Sequence, residues 1–292
     1  MNQTASTTSS PISAFGLLTR LLFTRRQNRA DLCYEFMGTR NCPSTECTYL
    51  NLGYWRDTID YRTAAEAMVD LLGEAADIQP GHVVVDAGCG FGDQDLRLAR
   101  TRDPARIHAI NVTDSQLAHA RIHNADPRID YVNASATSLP CGDASVDRVV
   151  SLEAAFHFDT REDFLRDSFR VLRPGGRIAV IDLVPLERNG RVETGGLRGW
   201  MERWASQTPK ANVYGVTRYA EILRGTGFEQ VEIRSILNDV VPGYLAFMRK
   251  LLADPVEAER LHPMIRQAMR HSGNPFAMSD YILVTAQKPG AH

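Results

Sequence analysis

"VVVDAGCGFGDQDLRLAR", Val83 to Arg100, runs from apolar residues closed by Asp86 through glycines at 88, 90 and 92 into a charged segment. A short apolar run followed by a glycine loop and a helix-like pattern predicts one strand–loop–helix unit of an α/β fold. The glycines let a backbone approach a ligand closely, and the helix behind them offers unpaired N–H groups. A dinucleotide loop has the spacing G-x-G-x-x-G, with its third glycine packing helix on strand; here Gly92 comes one position early. Asp86 stands two positions before Gly88. A carboxylate there would repel a pyrophosphate and suit a nucleoside cofactor that carries an ammonium group.

Outward from this unit the strand–helix rhythm continues. Upstream, Ala64 to Ala76 has helical apolar spacing, ended by Pro80-Gly81, and the strand itself reads as His82 to Asp86. Downstream come "RIHAINVT" (a strand from Arg106 to Val112), a helix from Asp114 to His123 with Asp114 as its cap, and the strand "IDYVNAS". "VDRVVSL" (Val146 to Leu152), a helix from Arg161 to Leu172 stopped by Pro174-Gly175-Gly176, and "RIAVIDLV" complete the alternation. Such spacing means an α/β, doubly wound, mostly parallel sheet. After Val184 the rhythm breaks: residues 185–215 are loop-rich and hold Trp200, Met201 and Trp204. A helix (Arg218 to Arg224), the strand "FEQVEIRSI", a helical stretch from about Val241 to Arg270 and the strand "DYILVTAQK" follow. We expect residues 1–62 to form a disordered tail with a helical cap, and residues 63–292 a Rossmann-like domain. Insertions at about 185–215 and 238–278 would act as lids over the sheet's carboxyl edge, where open α/β sheets bind ligands.

At 292 residues and 43% apolar, the chain can bury a substantial core, and a net charge of −2 gives no field for nucleic acid. Five scattered cysteines fit free thiols in a reducing compartment; Cys42 and Cys47 are the nearest pair, without a second pair at zinc-like spacing, so no metal is expected. No run reaches the ~20 apolar residues of a membrane span. The N-terminus is Ser/Thr-rich, and residues 15–29 mix leucines with Arg20, Arg25, Arg26 and Arg29. Most of that charge follows the apolar part, the reverse of a signal peptide, so a cytoplasmic protein without a stable membrane anchor is expected. A helix packed on its own domain is the simpler reading of 15–29, with weak surface association as the alternative.

The stretches "VVVDAGCGFGD", "IHAINVTDSQLAHAR", "YVNASATSLPCGDASVDRVVSLEAAFHF" and "SFRVLRPGGRIAVIDLV" together resemble the class I S-adenosylmethionine-dependent methyltransferases of small-molecule type, over about Val83 to Val184. The resemblance implies a seven-stranded sheet whose last strand, "SDYILVTAQK", runs antiparallel. It implies S-adenosylmethionine as cofactor, with Asp86, Gly88, Cys89, Gly90 and Gly92 at its methionyl end. Asn111, with Val112 beside it, stands where the family usually has an acidic residue on the ribose, and Gln116 matches a polar residue near that ribose. An amide both donates and accepts, with less charge assistance. Ser135, Ala136 and Thr137 correspond to the adenine site. "TYLNLGYW" resembles a segment whose aromatic residue closes over the cofactor, a role assigned to Tyr54 with Trp55 as runner-up.

Methyl transfer from a sulfonium is an in-line displacement that needs the nucleophile held close and water kept away. A hydroxyl acceptor also needs a base. His157 in "SLEAAFHF" and Asp182 in "AVIDLV" follow or end neighbouring strands, an arrangement similar to sugar and natural-product O-methyltransferases; Glu153 is a third candidate, for substrate or methionyl amine. The alternative within the class is C-methylation of an alkene, prenyl or ring substrate, with Glu153, Phe156, Phe158, Trp200 and Trp204 facing a carbocation. More distant alternatives are an NAD-dependent oxidoreductase and a non-catalytic adenosyl-ligand binder. Trp200, Met201, Trp204, Tyr244, Phe247 and Met248 suggest an apolar wall and a small, lipophilic methyl acceptor as partner.

Overall fold

The computed structural model describes residues 38–193, 196, 208–271 and 274–291. The polar tail, segment 15–29, and Trp200, Met201 and Trp204 lie outside the described residues. The first part of the fold alternates α1 (Tyr61–Ala75), β1 (Val83–Ala87), α2 (Asp93–Arg102), β2 (Arg106–Asn111), α3 (Asp114–His123), β3 (Ile129–Asn133), β4 (Val146–Leu152), α4 (Arg161–Val171) and β5 (Leu172–Pro185). A small hairpin of β6 (Glu187–Arg188) and β7 (Arg191–Val192) precedes α5 (Val216–Thr226) and β8 (Glu229–Ser235). Then come α6 (Leu237–Ala253), α7 (Pro255–Arg260), α8 (Pro263–His271) and β9 (Ser279–Gln287).

The seven-stranded sheet has the order β3-β2-β1-β4-β5-β9-β8. β1 to β5 pair in parallel, and β9 runs antiparallel to both β5 and β8. After β1 the chain builds outward through β2 and β3, then returns to place β4 on the other side of β1. The crevice beyond the carboxyl ends of β1 and β4 is thus a topological switch point, where open sheets bind ligands.

Two apolar layers hold the sheet. Ala64, Ala65, Met68, Val69 and Leu72 of α1 and Val240, Val241, Tyr244, Leu245 and Met248 of α6 pack on one side with Val84, Val150, Ile181 and Leu283. Phe164 and Leu165 of α4 and Tyr219, Ile222 and Leu223 of α5 pack with Val85, Val149, Val180 and Val184 on the other. Strands covered on both faces need apolar residues at consecutive positions, which is why 83–85 of β1 and 178–181 of β5 read as unbroken apolar runs. Local signals set the helix starts. Asp60 accepts from Thr63 N at 2.8 Å to cap α1, and Thr160 Oγ1 accepts from Asp163 N at 3.2 Å to cap α4. The expected cap of α3 is corrected: Thr113 is the N-cap residue, and Asp114, inside the first turn, accepts from Asn133 Nδ2 at 2.6 Å instead.

The long helical stretch is three helices. Asp254 stops α6 and starts α7, accepting from Val256 N at 2.9 Å with Pro255 in the first turn. Tyr244 and Met248 are buried against the sheet, and Phe247 stacks on Tyr61 with ring centres 5.3 Å apart. None of the three lines the cavity described below, so the apolar wall expected from them is core packing.

Candidate active site

A cavity of ≈ 530 Å³ opens at the carboxyl ends of β2, β1 and β4, within the few hundred to ~1,000 Å³ usual for small-molecule sites. Gly88, Cys89, Gly90, Gly92, Asn111, Val112, Gln116, Ser135, Ala136, Thr137, Glu153 and His157 all line it. Asp86, Asp182 and Tyr54 do not.

The glycine loop reaches the cavity by close packing. Gly88 has φ +89°, and a Cβ there would lie 2.3 Å from Ala154 Cβ, in the turn after β4. Gly92, at φ +87°, ends the loop; a Cβ would meet Tyr131 Oη at 2.6 Å and Ala120 Cβ at 2.9 Å. The early third glycine therefore lets α3 and β3 approach the loop. The amides of Gly88 and Cys89 donate to Ile110 O at 2.8 and 3.1 Å, and Gly92 N donates to Cys89 O at 3.1 Å. These N–H groups are taken up by the protein, so they form no cradle for a pyrophosphate.

At the β2 end, Asn111 Nδ2 donates to Gln116 Oε1 at 2.7 Å and lies 3.4 Å from Gly90 O, while its Oδ1 accepts from Val112 N at 2.9 Å. This amide pair can donate to and accept from the hydroxyls of a sugar. Beyond β3, Ser135 Oγ and Thr137 Oγ1 share a hydrogen at 2.8 Å, and Thr137 N donates to Ser135 Oγ at 3.2 Å. Hydroxyl and backbone groups there can pair with a base edge.

The carboxylate expected beside the glycines is placed otherwise. Asp86 is fully buried beneath the loop, takes a short hydrogen bond from Gln94 Nε2 and neighbours the equally buried Asp95. Burial pushes the Asp86 carboxyl up to about 6; burial and then the nearby Asp86 charge raise Asp95 further. Two desolvated carboxyls this close disfavour each other's ionisation. The reason for this placement is strand parity. Asp86 shares a face with Val84, which packs under α1, whereas Val85 and Ala87 face the other layer.

Of the three candidate carboxylates Asp86, Glu153 and Asp182, the one that lines the cavity is Glu153, just past β4. Its Oε1 accepts from Leu52 N at 2.7 Å, and the buried Tyr281 hydroxyl faces it. Burial raises it to about 7, against those hydrogen bonds. His157 ends the 3₁₀ turn Ala155–His157, its ring 4.0 Å from that of Phe156. Burial lowers its imidazole to about 4, so it is neutral through the physiological range.

Asp182 departs from expectation for the same reason as Asp86. It shares a face of β5 with Val180 and Val184, toward α4. There it is wholly buried and meets Arg161 Nε at 2.8 Å, with Oδ1 accepting from Leu183 N and Phe156 N at 2.9 and 3.1 Å. It is an anchor behind the site and does not face an acceptor.

The segment around "TYLNLGYW" does cover the cavity, through Thr48, Tyr49, Leu50 and Asn51. Thr48 N and Oγ1 bond Asp93 at the start of α2, and Tyr61 Oη donates to Tyr49 O at 3.0 Å and Asn51 O at 2.8 Å. Tyr54 instead lies with its hydroxyl 3.4 Å from Asp239, and Trp55 packs on Phe247 and donates to Leu52 O at 2.7 Å. Sequence reasoning also missed Asp93 and Gln94 in the lining. A carboxylate at a helix N-terminus, as at Asp93, is the one signal that pointed there. Cys42 and Cys47 are free, buried thiols, Cys42 pushed up to about 12 by burial, hence unreactive. No helix among the described residues is long and apolar enough to cross a membrane.

Residues 85–180 match a family model described as a methyltransferase domain. The chain is 33% identical to the erythromycin 3″-O-methyltransferase of Saccharopolyspora erythraea, over 91% of this chain and 92% of that one. It is 30% identical to the 27-O-demethylrifamycin SV methyltransferase of Amycolatopsis mediterranei, over 82% and 90%. Among solved structures, the [4+2]-cyclase SpnF has the same fold with a TM-score of 0.72, at 23% identity over 92% of this chain and 98% of that one.

Proposed function

Because the chain belongs to the class I S-adenosylmethionine-dependent methyltransferases, we propose that it transfers the methyl group to a hydroxyl oxygen of a lipophilic natural product, with His157 as general base. It is a small-molecule methyltransferase that uses S-adenosylmethionine. What supports the finer reading is one observation: a single cavity joins the amide pair Asn111–Gln116 to Glu153 and His157.

The cofactor's groups find suitable partners along that cavity. Asn111 and Gln116 would hold the ribose hydroxyls, and Ser135 to Thr137 the base. Glu153 would hold the cationic end, the task first assigned to Asp86. When bound, S-adenosylmethionine supplies an electrophilic methyl group on a sulfonium. The protein contributes position, dryness and a proton acceptor. Phe156, Phe158, Leu50 and Leu152 give the acceptor region an apolar lining. His157, neutral at physiological pH, is in the form that accepts the proton of an attacking hydroxyl.

The O-methyl reading is preferred to C-methylation because a neutral imidazole lining the cavity can serve a hydroxyl, and because both relatives above are named for methylating oxygen. The satisfied loop amides argue against a dinucleotide. The test is incubation with S-adenosylmethionine and, as probes, erythromycin lacking its 3″-O-methyl group and 27-O-demethylrifamycin SV. A product heavier by one CH₂ unit, located on oxygen by NMR, is expected from at least one. A methyl located on carbon, or S-adenosylhomocysteine formed without methylated product, would overturn it.

A further inference from the structure

Behind the turn that carries His157 lies a wholly buried polar cluster. Arg161 opens α4, Asp182 lies in β5, and Asn212 ends the turn Lys210–Asn212; all three are inaccessible to solvent. Beyond its 2.8 Å contact with Asp182, Arg161 donates from Nη1 to Asn212 O at 3.0 Å and from Nη2 to Leu183 O at 3.3 Å. Its guanidinium lies over the rings of Tyr214 and Tyr219, at 4.8 and 5.1 Å.

The other polar atoms of the cluster hold backbone on both sides of His157. Asp182 Oδ1 accepts from Phe156 N at 3.1 Å. Asn212 Nδ2 donates to Phe156 O at 3.2 Å and Phe158 O at 2.7 Å, while its Oδ1 accepts from Arg161 N at 2.8 Å. None of the three side chains lines the cavity. A buried ion pair contributes little net stability, because desolvation offsets the attraction. What the pair holds in place is therefore the informative feature.

The structure assigns Arg161, Asp182 and Asn212 the role of positioning residues that clamp the Ala155–His157 turn from behind and set His157 at the cavity wall. The link to turnover rests on the reading of His157 as the base; the clamp itself does not. Displacement of a reacting group by about 1 Å costs up to ~10²-fold in rate, so loss of the clamp reaches the chemistry without touching the acceptor.

Asn212→Ala in the full chain, labelled with [13Cε1]histidine and saturated with S-adenosylhomocysteine, tests the clamp. The His157 resonance should shift and broaden, the other histidine resonances should hold, and S-adenosylhomocysteine affinity should be unchanged. With an accepted probe from the assay above, kcat should fall about 10–100-fold at constant KM, and not fall further when Asn212→Ala is added to His157→Ala. An unmoved His157 resonance, or an equal kcat loss in the His157→Ala background, overturns the proposal. Full turnover by His157→Ala would instead overturn the base reading and leave the NMR result to decide the clamp. Should Asn212→Ala not fold, Arg161→Lys carries the same measurements: it keeps the charge against Asp182 and loses the fork that reaches Asn212 O and Leu183 O.

Discussion

Glu153 accepts the amide of Leu52 at 2.7 Å while its own backbone stands in the left-handed region, at φ +51°. For a residue with a Cβ that conformation costs roughly 1–2 kcal/mol, and it persists because Glu153 N donates to Ile181 O at 2.8 Å and the side chain is tied down. The strained residue thus joins the segment covering the cavity to the end of β4 and aims a carboxylate where the cationic end of the cofactor would lie.

The first prediction concerns cofactor affinity. Glu153 is held up at about 7 by burial, and a bound cation favours its ionised form. Affinity for S-adenosylmethionine should therefore rise with pH through about 7 and level off above, by about tenfold per unit of pKa shift. Calorimetric titrations from pH 6 to 8 should show this slope in the parent and none in Glu153→Gln. A slope that survives the substitution assigns it elsewhere.

His157 gives the second. Its folded pKa is depressed to about 4, so protonation is deferred to lower pH than for an exposed imidazole at ~6.5. Histidine NMR should find His157 neutral at pH 6 while exposed histidines titrate. His157→Ala should bind cofactor normally and lose ~10²–10⁴-fold in turnover. Titration of His157 near 6.5 would contradict the burial argument.

A third follows from the carboxyl pair under the glycine loop. Both Asp86 and Asp95 have folded pKa values above their unfolded ones, so the native protein binds more protons than the unfolded chain. That contribution is complete below about pH 4 and is lost as pH rises through about 6. Asp95→Asn keeps the shape and removes the second charge. Its stability relative to the parent, by urea unfolding, should grow as pH rises from 4 to 7. A difference independent of pH would show that burial does not raise these carboxyls.

Tyr61 supplies the fourth. Its fully buried hydroxyl serves the carbonyls of Tyr49 and Asn51, beside the cavity. Tyr61→Phe leaves both without that donor and should lower stability by about 1–3 kcal/mol, with a weaker hold on S-adenosylhomocysteine because Tyr49 and Asn51 line the site. Unchanged unfolding and binding would mean that water replaces the hydroxyl at no cost.

The sequence candidates that line the cavity are those local to strand ends. Asn111 ends β2, Gln116 lies in the first turn of α3 and Ser135 to Thr137 come just after β3, and once these strands are recognised a parallel sheet brings their carboxyl ends to one edge. The errors fall where a side chain's direction was needed. Tyr54 and Trp55 were assigned from the resemblance of the segment, whereas it is Tyr49 that lines the cavity. What turns Trp55 away is α6: Trp55 N donates to Asp239 O at 2.8 Å, and Gly243 has no Cβ to keep the indole off. Those partners lie far along the chain and leave no mark near residue 55.

The order of strands, the glycine loop and the methyl donor were determined by sequence alone, because apolar runs, turn residues and cofactor-loop spacing are properties of neighbouring residues. Which carboxylate meets the cavity was decided by the tertiary structure. Asp86, Glu153 and Asp182 are equally acidic and equally near strand ends in the sequence. Strand parity turns Asp86 under α1 and Asp182 toward Arg161, and the left-handed turn after β4 leaves Glu153 facing the site. Packing on both faces of the sheet fixes that parity, and no single strand carries it.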